Sequence, residues 1–87
     1  MISLVKWSDK ALSERETIFE SNYKISGIQY AKSENSKMKK AIETIKKNNK
    51  IGRSDLFPNS YLYILPKRYK VLYRLSTECI FIERLFY

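Results

Sequence analysis

The spacing of apolar positions changes twice along the chain and divides it into three parts. Residues 2–7 alternate loosely between apolar and polar, which predicts a short strand. Ser8-Asp9 follows as a helix N-cap. From Lys10 to about Lys24 the apolar residues recur at 12, 19, 23 and at 11, 18. This places Leu12, Phe19 and Tyr23 beside Ala11 and Ile18 on one helical stripe, with Glu14, Arg15, Glu16 and Glu20 opposite. Ser26-Gly27 breaks the helix. A second helix runs from about Ile28 to Lys47 on the stripe Ile28, Ala31, Met38, Ala41, Ile42 and Ile45, with Asn35 filling one turn. Lys32, Lys37, Lys39, Lys40, Lys46 and Lys47 fall mostly off that stripe. Two amphipathic helices joined by a short glycine turn predict an αα-hairpin.

After Asn48-Asn49 the helical period is lost. Lys50 to Ser60, with Gly52, Pro58 and Asn59, reads as a loop. Strand formers then dominate Tyr61 to Leu65, and Pro66-Lys67-Arg68 reads as a turn. Tyr69 to Leu75 alternates cleanly, with Tyr69, Val71, Tyr73 and Leu75 on one face and Lys70, Leu72 and Arg74 on the other. Ser76-Thr77-Glu78 is a second turn, and Cys79 to Tyr87 is the last strand. Connections this short make antiparallel neighbours. The expected architecture is a single domain over residues 1–87 of the α+β class, in the order β-α-α-β-β-β. A helix hairpin packs on one face of a small antiparallel sheet.

Composition narrows the chemistry. The single cysteine, Cys79, allows no internal disulfide and fits a reducing, cytoplasmic setting. Histidine is absent, which removes the commonest general base and metal ligand, so no metal and no cofactor is expected. A Cys-His or Ser-His nucleophile pair is likewise excluded. No apolar run is long enough to span a membrane, and the N-terminus does not read as a signal peptide. Charge is uneven. Residues 1–36 balance at zero, whereas residues 37–87 carry twelve basic against four acidic side chains and hold the whole net charge of +8. Such asymmetry points to a polyanionic partner, a nucleic acid or an acidic protein.

Several segments resemble the RelE/ParE toxin superfamily of type II toxin–antitoxin systems. Trp7-Ser8-Asp9-Lys10-Ala11-Leu12 resembles the family's opening, Ala41-Ile42-Glu43-Thr44-Ile45 the end of its second helix, and Ile51-Gly52-Arg53 its Leu-Gly-Arg loop. Tyr69-Lys70-Val71-Leu72-Tyr73-Arg74 resembles the Tyr-Arg-aliphatic-aliphatic-Tyr-Arg motif of its central strand, with Lys70 where the family carries arginine. Ile80 to Tyr87 resembles its last strand, without the histidine that follows in relatives.

The resemblance implies a growth-inhibiting toxin, neutralised by a cognate antitoxin, that poisons an essential complex: DNA gyrase in the leading reading. The alternative is a ribosome-dependent mRNA interferase acting on ribosome-bound message. A further alternative is a degenerate, non-toxic module that binds antitoxin or nucleic acid. Metal-free RNA cleavage needs a base, an acid and cations for the developing phosphorane charge. The candidates for that reading are Lys70, Arg74, Arg84 and Tyr87. Phosphate or target contacts fall to Arg53, Lys67, Arg68, Lys70 and Arg74, and antitoxin contacts to Tyr61, Tyr63, Tyr69 and Tyr73. Some nuclease relatives carry lysines on the strand before the central one. Tyr61 to Leu65 carries no charge, which argues against efficient cleavage. Glu43 is expected to pair with Lys47 on the helix surface.

Overall fold

Ser8 turns the chain from its first strand into its helical layer. The Ser8 side chain accepts from the Ala11 N–H at 2.9 Å, the bond expected of an N-cap. Asp9 in the first turn and Lys46 and Lys47 in the last turn suit the helix dipole. The computed structural model describes residues 4–54, 58–65 and 69–86. Its elements are β1 (Leu4–Trp7), α1 (Asp9–Lys47), β2 (Tyr61–Ile64), β3 (Lys70–Leu75) and β4 (Cys79–Phe86). The expected turn at Pro66-Lys67-Arg68 lies outside the described residues. Among the described residues no helix is long and apolar enough to cross a membrane.

The helical stretch α1 is two arms. Ser26 (φ −144°, ψ 17°) and Gly27 (φ 84°, ψ −173°) leave the helical region, at the dipeptide where the sequence predicts a break. Arg15 Nε on the first arm donates to Asn35 Oδ1 on the second at 3.0 Å. In a straight helix these residues would stand about 30 Å apart, so the arms fold back side by side as a hairpin.

The sheet runs β1-β4-β3-β2. β2, β3 and β4 are antiparallel neighbours, as their short connections require. The all-antiparallel expectation needs one correction: β1 lies parallel to β4, with Leu4 opposite Cys79 and Trp7 opposite Ile82. The α1 hairpin provides the long crossover that a parallel pair demands, and the sheet is mixed. β4 carries a bulge. Leu72 faces Arg84 while Tyr73 faces Ile82, so Glu83 is the extra residue. The Glu83 carbonyl, out of the ladder, accepts from the Ser8 hydroxyl at 2.6 Å, and the Ser8 N–H donates to the Ile82 carbonyl at 2.9 Å. The bulge and the helix N-cap are therefore one joint.

One sheet face, carrying Val71, Tyr73, Ile80 and Ile82, packs on Ala11, Ile18, Met38, Ala41, Ile42 and Ile45 of the hairpin. Full burial of each large aliphatic contributes about 1.5–3 kcal/mol. The buried track of the first arm keeps Ala11 and Ile18 of the expected stripe and continues at Asn22 in place of Tyr23. Leu12 and Tyr23 are exposed, and so is Ile28 of the second stripe. Two polar residues take core positions for a common reason. The buried Tyr69 hydroxyl accepts from Asn22 Nδ2 at 3.1 Å and donates to Glu34 Oε1 at 2.9 Å, tying both arms to the sheet. Lys37 pairs with the other Glu34 oxygen, so the buried carboxylate is neutralised as well as hydrogen-bonded.

Gly27 has open space around its Cα but sits in a region of backbone conformation reserved for glycine. Gly27→Ala is expected to destabilise the domain by about 1–3 kcal/mol through backbone strain alone. The denaturant midpoint should fall with the slope unchanged. An unaltered midpoint would show that the hairpin turn does not need this conformation.

Candidate functional site

On β3 the pleat turns Lys70, Leu72 and Arg74 away from the helices, because Val71 and Tyr73 belong to the helix-packed core. Leu72 lies opposite Arg84, and Lys70 opposite Phe86. Three candidate cations, Lys70, Arg74 and Arg84, are thus gathered around Leu72 on neighbouring strands. Lys70 and Arg74 are about 13 Å apart along the strand. Lys67, Arg68 and Tyr87 lie outside the described residues.

Two of the three head groups are already engaged. Arg84 donates to Glu14 Oε2 through Nε at 2.9 Å and Nη2 at 2.7 Å, and its guanidinium lies 5.0 Å from the Phe86 ring centroid. The second Glu14 oxygen accepts the Leu85 N–H at 3.0 Å. The Glu14 carboxylate therefore caps β4 where β1 has ended, and holds Arg84 over the sheet edge. Arg74 pairs with Glu83, whose carboxylate also accepts from the Ser60 hydroxyl at 3.1 Å. Lys70 is exposed and has no ion pair among the described residues. Neither acid partner announces itself in the sequence. Glu14 and Arg84 are 70 residues apart, and Glu83 acts through a bulge that no residue pattern marks.

Burial pushes the Glu14 carboxyl upward. The Arg84 hydrogen bond, the Leu85 N–H and the charges of Arg84 and Lys10 outweigh it, so the group titrates below its ordinary 4.5. Arg84 is pushed further up by the same hydrogen bond.

The four candidate tyrosines separate into two pairs. Tyr69 and Tyr73 are buried, Tyr69 in the network with Asn22 and Glu34. The Tyr73 hydroxyl donates to the Asn49 carbonyl at 2.7 Å and accepts the Gly52 N–H at 3.1 Å. Burial raises the Tyr73 hydroxyl above 10 and Tyr61 adds to this, against the lowering influence of the Gly52 bond. Both of these hydroxyls serve the fold. Tyr61 and Tyr63 are half-buried on β2, and Tyr61 stacks on Tyr73 with centroids 5.4 Å apart.

The Ile51-Gly52-Arg53 segment closes over the outer edge of β2. Arg53 exchanges backbone hydrogen bonds with Leu62 at 2.8 and 2.9 Å. A Cβ on Gly52 would come within 3.0 Å of the Leu62 backbone and of Tyr61 Cβ, so only glycine admits this approach. Arg53 itself is exposed on that edge. On the other side of the molecule, Leu12, Arg15, Glu16, Phe19, Glu20 and Asn35 line an open groove of about 750 Å³ along the hairpin. Arg15 spans it, its guanidinium 5.2 Å from the Trp7 ring centroid. Glu43 pairs with Lys46 at 3.6 Å, one residue short of the expected Lys47.

The sequence matches no family model and no curated protein. The fold does have solved counterparts. The chromosomal ParDE TA (toxin–antitoxin) system from P. aeruginosa superposes with a TM-score of 0.85 at 18% identity, covering 98% of this chain and 95% of that one. The YoeB dimer from Staphylococcus aureus superposes with a TM-score of 0.70 at 14% identity, covering 100% and 98%.

Because Glu14 titrates lower in the folded chain than its ordinary value, its contribution is complete above about pH 4.5 and is lost as pH falls through the lower folded value. Glu14→Gln is expected to destabilise the domain at neutral pH by on the order of 1–3 kcal/mol, from lost charge-assisted hydrogen bonds. The gap between variant and parent should close on acidification below pH 4.5. A gap that stays constant with pH would mean that Glu14 is not held as a carboxylate by Arg84.

Proposed function

On the fold of the RelE/ParE toxin superfamily, we propose that this chain is the toxin of a bacterial toxin–antitoxin pair and acts in the cytoplasm by binding and blocking an essential complex. DNA gyrase is the target that the resemblance implies. The observation that carries the toxin reading is the superposition on the ParDE system over nearly the full length of both chains.

Binding is favoured over RNA cleavage by what the candidate cations are doing. Arg84 is committed to Glu14 and Arg74 to Glu83, and β2 presents Tyr61-Leu62-Tyr63-Ile64 without a charge. A transition-state clamp needs donors free to meet developing charge. Of the candidates on β3 and β4, Lys70 alone is unpaired among the described residues. Lys70, with Arg53, Lys67 and Arg68, is assigned to target contact. The antitoxin is assigned to the half-buried Tyr61 and Tyr63 and to the groove beside Leu12 and Phe19, where an amphipathic segment folding on contact would bury its apolar side.

The test is to induce the chain alone in a bacterial host and follow labelled thymidine and methionine incorporation over the first minutes. Thymidine incorporation is expected to fail first, with Lys70→Ala weakening the arrest and co-expressed antitoxin relieving it. Earlier collapse of methionine incorporation would replace this reading with the mRNA interferase. Unchanged growth would end the toxin reading.

A further inference from the structure

The outer face of the second arm of α1 takes no part in the site above. Ala31, Glu34, Met38, Ala41, Ile42 and Ile45 turn inward and are buried. At 3.6 residues per turn, Lys32, Lys39, Lys40 and Lys47 fall within an arc of about 100° on the opposite side. All four are exposed, and none has an ion pair among the described residues. The acid on this side, Glu43, is taken by Lys46. The remaining outer positions are Gln29, Ser33 and Ser36, which are neutral and polar, and Ile28, which is exposed at the N-terminal end of the row. The row from Lys32 to Lys47 is about 22 Å long.

We propose that this lysine ridge binds the phosphate backbone of duplex DNA without reading sequence. Three features select that partner. Between Lys32 and Lys47 the ridge has no apolar side chain, Ile28 standing exposed only at its N-terminal end, so an acidic peptide folding along it would have little to bury. It has no aromatic platform, so single-stranded bases would have nothing to stack on. Its charges are lysines, mobile point charges rather than planar forks, and they extend over a length that meets several successive phosphates of a strand. The choice of DNA over duplex RNA rests on the gyrase reading, which places the chain beside DNA.

The experiment is fluorescence anisotropy of the full chain with a labelled duplex of roughly 20 base pairs, about two helical turns, across a salt series. Lys39→Ala/Lys40→Ala/Lys47→Ala is expected to weaken binding at every sequence tried and to lower the slope of log affinity against log salt by about three. Lys6→Ala/Lys10→Ala/Lys24→Ala removes the same charge elsewhere and is expected to leave the slope within about one of the parent. Circular dichroism confirms that both variants are folded. Equal losses in the two triple variants would overturn the ridge, as would single-stranded DNA or duplex RNA binding as tightly as duplex DNA. Polyglutamate competing as well as DNA at equal charge would do the same. The two readings fail separately. A chain that arrests growth but ignores duplex DNA defeats only the ridge, and one that binds DNA through the ridge without arresting growth defeats only the toxin.

Discussion

Strand β4 lies between β1 and β3, and both of its edges must be satisfied for the sheet to exist. Along one edge β3 supplies an antiparallel ladder interrupted at Glu83. Along the other, β1 reaches only as far as Ile82, and the helical layer takes over. Ser8 bonds to the carbonyls of Ile82 and Glu83, and Glu14 accepts the N–H of Leu85. The first arm of the hairpin therefore completes the hydrogen bonding of a strand that begins 70 residues later than Asp9. Its register on the sheet is fixed by polar bonds at the rim, while the core supplies most of the driving force.

The same bonds decide what the cations around Leu72 are available to do. An arginine that holds a helix to a strand through a carboxylate is poorly placed to meet charge that appears only during a reaction. The surface left open holds an uncharged β2 that carries the half-buried Tyr61 and Tyr63, a groove along the hairpin, and a lysine row on the outer face of its second arm.

Much of this was legible in the sequence where the signal is local. The break at Ser26-Gly27, the Ser8 cap and the antiparallel run β2-β3-β4 follow from conformational preference and connection length. The parallel pairing of β1 does not, since nothing in residues 4–7 says which edge they will join. Asn22 and Glu34 were hidden because polar residues at core positions read as defects in an apolar stripe until Tyr69 is brought between them. The acid partners of Arg74 and Arg84 were hidden for the same reason: they are products of topology. Tyr69 and Tyr73 show the limit of reading motifs. The motif marks them, but their hydroxyls are spent on Glu34 and Asn22 in one case and on Asn49 and Gly52 in the other.

The position of β4 also bears on how the chain is made. Synthesis runs from the N-terminus, so β1 and the hairpin emerge long before the strand they close upon. Leu4–Trp7 must wait for Cys79–Ile82, and the Glu14 carboxylate must wait for Arg84. Helix–helix contacts can form early, but the sheet is built from pairings distant in sequence, which are slow to close. A nascent chain halted before residue 79 would lack the strand that joins β1 to β3, and would display much of the apolar side of its hairpin with no complete sheet to cover it, in a form open to aggregation and degradation.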